Sequence, residues 1–301
     1  MIGRVFAGYA IVSEIGAGGM GRVYLATHRR LGRRAAVKVL LPEFASDPEI
    51  AARFFDEARA TSLIDHPGIV EIYNCGSLDD QPFIVMEHVD GESLATIVAR
   101  TGPLAGEPVT VASLLGQVAS ALAAAHAAGI VHRDLTPDNV FAILEREPAP
   151  RLSTKTLDFG VAKLAVDRRA PGAGTRPGTI LGTPAYMSPE QCLGSNAVDH
   201  RSDVYALGCI AFELLTGRPP YMRSSAAELI AAHVREPAPP VSHMRPEVPP
   251  ALDELVLRMM AKEPERRPAS MDAVVAEVER LLAMPARRFP TALPRASKLF
   301  A

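Results

Sequence analysis

The chain contains no tryptophan, only 5% aromatic residues and just three cysteines in 301 positions. Cys75, Cys192 and Cys209 are far apart, odd in number and never in a Cys-x-x-Cys pair, so neither a disulfide framework nor a zinc site is suggested. A reducing compartment is expected. An excess of one charge is also missing, since 32 Lys and Arg stand against 34 Asp and Glu for a net charge of -2. With no basic field and no run of like charge, nucleic-acid binding is not expected. The N-terminus has no basic segment leading into an apolar signal core, and there is no uninterrupted apolar run of about eighteen residues. The expectation is a cytoplasmic chain with no membrane span.

What is present is a hydrophobic content of 48%, enough for a large core, over a length that favours two lobes. The chemistry concentrates between Ile130 and Phe141, which reads Ile-Val-His-Arg-Asp-Leu-Thr-Pro-Asp-Asn-Val-Phe. A short polar segment carrying Asp134 and Asn139 between strand-like apolar flanks suits phosphoryl transfer. There an aspartate orients an attacking hydroxyl while an asparagine holds a metal ion on nucleotide phosphates. Asp158-Phe159-Gly160 downstream sharpens the pattern.

Tyr9 to Ile15 reads as a strand leading into Gly16-Ala17-Gly18-Gly19-Met20-Gly21, and the residues after it alternate as a second strand does. The glycines are therefore expected at a hairpin tip, where absent side chains let backbone N–H groups approach phosphate oxygens. Lys38 is the only charge in the strand-like run from Ala35 to Leu40. Asp47-Pro48 is a helix-start signal, and Ile50, Phe54, Ala58 and Thr61 fall on one face of the helix that follows. Glu57 lies beside that face and can turn inward to Lys38.

These residues resemble the eukaryotic-like protein kinase family, particularly its bacterial serine/threonine members. The resemblance rests on the glycine loop, Ala36-Val37-Lys38, Glu57, His132-Arg133-Asp134, Asn139, Asp158-Phe159-Gly160 and Ser188-Pro189-Glu190, in the family's order over residues 8 to 283. It implies an α+β, bilobal fold with a small β-rich N-lobe holding one main helix (1–86), a hinge (87–93), an α-rich C-lobe (94–284) and a flexible tail (285–301). It implies ATP and Mg²⁺ as cofactors and protein substrates with Ser or Thr acceptors, with a transient homodimer for trans-autophosphorylation. Asp134, Lys38, Glu57 and Asn139 take the catalytic roles, and Asn139 and Asp158 bind the metal. Ile15, Gly16, Gly18, Gly19, Gly21, Val23, Ala36, Lys38, Glu87, Val89 and Phe141 bind the nucleotide, with the Glu87 carbonyl and Val89 amide facing adenine and Met86 behind the pocket.

The resemblance also makes Asp203 an anchor for the catalytic-loop backbone and pairs Arg267 with Glu190 in a buried bridge. Residues 161 to 190 become an activation segment, with phosphate on Thr179, or secondarily Thr175, pairing with Arg133. Two positions depart from the pattern. Thr136 stands where the family usually carries a lysine that contacts the transferring phosphate, which keeps open a catalytically weak or inactive nucleotide-binding pseudokinase scaffold. Ser188 replaces the more usual alanine, a change expected to be minor. A small-molecule kinase of the same fold ranks low, because such enzymes lack the segment from Thr183 to Glu190 and its Arg267 partner. Between Asn139 and Asp158, the proline- and charge-rich run from Glu145 to Thr154 is expected to be a surface insertion in a hairpin.

Overall fold

Alternating apolar residues in the first ninety positions build a six-stranded antiparallel sheet in the computed structural model, which describes residues 1–145, 151–159, 184–195 and 198–284. The strands are β1 (Val5–Phe6), β2 (Tyr9–Ala17), β3 (Gly21–His28), β4 (Arg34–Leu40), β5 (Ile72–Leu78) and β6 (Gln81–Glu87), in the order β1-β2-β3-β4-β6-β5. One face buries Phe6, Tyr9, Ile11, Tyr24, Ala26, Val37, Val39, Phe83 and Val85 as a single apolar cluster. Because side chains alternate along a strand, Ala36 and Lys38 point to the other face. Two helices follow β4: a single turn, α1 (Pro42–Ala45), and α2 (Pro48–Ser62). Asp47 caps α2, its side chain accepting from the N–H groups of Glu49 and Ile50.

The chain divides between Asp90 and Gly91, with Phe159 grouping with the first unit. The second unit opens on β7 (Glu92–Ser93), which pairs with the hairpin of β8 (Val140–Glu145) and β9 (Arg151–Thr156). Gly91 is required there, since a Cβ would lie 2.4 Å from the Ala142 carbonyl oxygen. Its described helices are α3 (Leu94–Thr101), α4 (Pro108–Ala127), α5 (Pro189–Cys192), α6 (Arg201–Thr216), α7 (Ala226–Arg235), α8 (Pro250–Met259) and α9 (Met271–Leu282). Their core centres on α4 and α6. Val111, Leu114, Leu115, Val118 and Leu122 of α4 and Val204, Tyr205, Leu207, Ile210, Phe212 and Leu215 of α6 are all buried in one cluster. Gly217, in the left-handed region at φ 83°, ends α6.

One expectation needs correcting. The hairpin keeps regular register from Val140 opposite Thr156 out to Glu145 opposite Arg151, so residues 151 to 154 are strand rather than insertion. Thr154 and Thr156 are buried along it. By length and composition α4 could cross a bilayer, although Thr110, Ser113, Gln117 and Ser120 interrupt its apolar run. In this fold 67% of its most apolar stretch is buried inside the protein, as befits a core helix. Gly160, the segment holding Thr175, Thr179 and Thr183, and the tail from 285 to 301 lie outside the described residues.

Candidate active site

The first unit gathers one group of the expected residues. The β2–β3 turn is the glycine hairpin, closed by the Gly18 N–H donating to the Gly21 carbonyl at 2.8 Å. Its glycines differ in what demands them. At Gly21 a Cβ would lie 2.8 Å from the Val39 carbonyl oxygen, so strand packing excludes a side chain. At Gly19 nothing lies within 4 Å, and at Gly16 and Gly18 a Cβ would meet only ordinary contacts. Packing among the described residues therefore does not explain those three.

Register then sets the neighbours. Val23 lies opposite Lys38 and Ala36 opposite Met86, so Val23, Ala36 and Lys38 share the sheet face that looks away from the Phe6 cluster. Lys38 Nζ meets Glu57 Oε1 of α2 at 3.1 Å, with side-chain exposures of only 16% and 9%. A buried ammonium and carboxylate brought together this way fix each other's position, because separating them would strand a charge away from water. Ile15 is exposed on β2. Glu87 ends β6, with its N–H donated to the Glu71 carbonyl at 2.8 Å, and Val89 follows in a stretch outside any helix or strand.

The second unit holds the other group. Asp203, in the first turn of α6 and only 1% exposed, is the hub. Its Oδ2 accepts from the His132 N–H at 2.8 Å, its Oδ1 accepts from the Arg133 N–H at 2.9 Å, and His126 Nε2 stands 2.7 Å from Oδ2. His132 is fully buried and its Nε2 bonds the Leu157 carbonyl at 3.0 Å, which suits a packed scaffold residue. Asp134 follows, and the Asn139 side-chain nitrogen donates to the Asp134 carbonyl at 2.9 Å. The Leu157 N–H donates to the Asn139 carbonyl at 2.8 Å, placing Asp158 one residue from that bond. Phe141 is on β8, paired with Ser93 and Lys155. Arg133 and Asp158 both have positive φ, 64° and 51°, a conformation that costs non-glycine residues energy and tends to gather at functional sites.

The family profile described as "Protein kinase domain" matches residues 9–278. This chain belongs to the protein kinase family. The kinase is similar to serine/threonine-protein kinase Pkn1 of Myxococcus xanthus, 46% identical over 91% of this chain and 38% of the relative. It is also similar to serine/threonine-protein kinase PknH of Mycobacterium bovis, 39% identical over 89% of this chain and 43% of the relative. The crystal structure of the Mycobacterium tuberculosis PknI kinase domain matches with a TM-score of 0.70 at 31% identity, covering 93% of this chain and 98% of that one. The chain spans less than half the length of the two curated relatives named here.

The architecture of the kinase is the α+β fold the resemblance implied, a β-rich first unit and a helical second one. Its second unit also contains a buried polar frame built on the expected Arg267–Glu190 pair. Arg267 grips Glu190 with two bonds, Nη1 to Oε1 at 2.7 Å and Nη2 to Oε2 at 2.9 Å, while Ser202 Oγ donates to Glu190 Oε1 at 2.7 Å. Burial alone would raise the Glu190 carboxyl, but the hydrogen-bonded guanidinium outweighs it and holds the group down at about 2. Tyr186 donates to Glu213, whose carboxyl is pushed up by burial. The reading from sequence missed His126, because nothing in its helical spacing distinguishes a carboxylate partner from a core-facing imidazole. It also missed Gln191, whose Nε2 donates to the Arg133 carbonyl at 2.7 Å.

Proposed function

We propose that this chain transfers the γ-phosphoryl group of ATP to serine or threonine hydroxyls of protein substrates. The observation that carries the reading is the catalytic loop. Two of its consecutive N–H groups are pinned by the buried Asp203, and the Asn139 amide nitrogen is spent on the Asp134 carbonyl. An amide whose nitrogen is committed inward presents its oxygen on the opposite side. That oxygen and the Asp158 carboxylate are the hard donors Mg²⁺ prefers, so the residues fit the ion. Bound there, Mg²⁺ would neutralise charge on the nucleotide phosphates.

Lys38, held by Glu57, supplies a fixed positive charge for the phosphates. The open space at Gly16, Gly18 and Gly19 lets phosphate oxygens approach the hairpin backbone, while the Gly18 N–H closes the turn on the Gly21 carbonyl. The Glu87 carbonyl and Val89 amide take the adenine edge, and Ile15, Val23, Ala36 and Phe141 supply apolar contact with the base. Asp134 orients the attacking hydroxyl and accepts its proton. Regulation by phosphate on Thr179 or Thr175, paired with Arg133, and trans-autophosphorylation in a transient homodimer belong to the same proposal.

A second reading, a nucleotide-binding scaffold with little or no catalysis, is favoured by Thr136 alone, which puts no cation where the family usually has one. The two separate cleanly. Incubation with labelled ATP, Mg²⁺ and a generic basic protein is expected to yield phosphoserine or phosphothreonine. Nucleotide binding with no transfer of label under any condition would favour the scaffold.

A further inference from the structure

Arg133 has a backbone conformation, φ 64°, that is strained in a residue with a side chain, so neighbouring groups must hold it there. Asp203 accounts for only one side, through the Arg133 N–H. The Arg133 carbonyl belongs to the peptide group leading into Asp134, and it receives the Gln191 Nε2 bond at 2.7 Å. That peptide sets the torsions on either side of it, ψ of Arg133 and φ of Asp134. A donor fixed on its oxygen therefore orients the carboxylate-bearing residue next in the chain.

Gln191 is itself held. Its Oε1 accepts from the Ser188 N–H and from Ser188 Oγ, both at 3.1 Å, while Ser188 Oγ accepts from the Gln191 N–H at 3.4 Å. This reciprocal cap starts α5. Ser188 is fully buried, and the helix it starts carries Glu190, which is clamped to Arg267 and Ser202. A capping glutamine needs only its oxygen. Here the nitrogen, which the cap leaves over, reaches the catalytic loop. The serine that departs from the usual alanine supplies the hydroxyl that binds this glutamine.

We propose that Gln191 is a positioning residue for Asp134, and that Ser188 holds it on the Arg133 carbonyl. A short helix outside the catalytic loop thereby sets the geometry of that loop. The inference rests on the phosphoryl-transfer reading for its kinetic consequence, but not for its structural one.

Gln191→Glu tests it, because the carboxylate keeps the oxygen the cap requires, removes the donor to Arg133 and sets a negative charge against that carbonyl. Gln191→Met is the uncharged control. In the whole chain, Gln191→Glu is expected to lower kcat at least about tenfold, with KM for ATP within about twofold and Tm within about 2 °C of wild type. Gln191→Met is expected to lose kcat similarly, together with some Tm from the lost cap. Hydrogen exchange measured by mass spectrometry over residues 130 to 137 should be faster in Gln191→Glu. Wild-type kcat in both variants would overturn the proposal. So would a kcat loss in Gln191→Glu matched by a large Tm loss, since that is what a purely structural role predicts. If wild type transfers no phosphate, the functional reading fails and the exchange measurement alone decides, with unchanged exchange overturning the positioning role.

Discussion

Thr136 sits two residues after Asp134, buried at 7% exposure, and its carbonyl accepts the Asn139 N–H at 3.1 Å at the start of a 3₁₀ turn. A threonine there supplies no positive charge, although phosphoryl transfer depends mainly on positioning and on charge stabilisation. In the proposed reaction Lys38 and Mg²⁺ would then carry the phosphate charge. A lysine at this position could bury its stem and extend its ammonium. Thr136→Lys is accordingly expected to raise kcat roughly three- to tenfold in a steady-state transfer assay. Unchanged or slower turnover would contradict the account of the missing charge. Roles that rest on a carboxylate facing backbone N–H groups were partly legible at this scale. Asp203 could be assigned through its motif context, but its third partner His126 could not. A hydrogen bond from a helix-borne imidazole to a residue seventy-seven positions away leaves no periodic trace.

Among the elements, the glycine hairpin gives the sharpest separation of folding from binding. Gly21→Ala forces a Cβ onto the Val39 carbonyl and should destabilise the first unit by roughly 1–3 kcal/mol, read as a lower denaturation midpoint. Gly19→Ala meets nothing within 4 Å, so it should leave the midpoint unchanged while raising KM for ATP severalfold. Equal stability loss in both variants would contradict the distinction. Elements with strong local signals were readable in advance: α2 from its Asp47 cap and apolar face, α6 from its apolar run and terminal Gly217, the β2–β3 hairpin from its glycines. Those set by tertiary pairing were not. β1 has two residues and α1 four, too short for any period to register. Residues 151 to 154 looked like an insertion because charge and nearby proline outweighed β-propensity, yet the continuing ladder from Val140 opposite Thr156 makes them strand.

For the molecule as a whole, acid is expected to loosen the fold in two steps. Burial, reinforced by the nearby Lys262 ammonium, pushes His233 down to about 4 from 6.5. Its Nδ1 stands 2.9 Å from the Tyr205 hydroxyl, and its carbonyl accepts from Lys262 at 2.7 Å. Between pH 6.5 and about 4 the unfolded chain therefore binds the proton that the folded chain refuses. Stability falls as pH falls through that window and is unaffected by this group above it. Glu190 extends the loss from 4.5 towards about 2, where its bond to Arg267 can no longer favour the ionised form. Denaturation midpoints measured against pH should fall through the upper window in wild type and flatten there in His233→Gln. Parallel curves would contradict the assignment.

In the proposed reaction Asp134, in a loop tethered by Asp203 and Asn139, performs phosphoryl transfer with Lys38 and Glu57. The most direct measurement is single-turnover transfer of labelled γ-phosphate from ATP by wild type and Asp134→Asn, alongside nucleotide binding by both. Wild type is expected to yield phosphoserine or phosphothreonine, with transfer slowed by about a thousandfold or more in the variant and similar nucleotide affinity in both. Equal transfer by the two proteins, or none by either while both bind ATP, would contradict it.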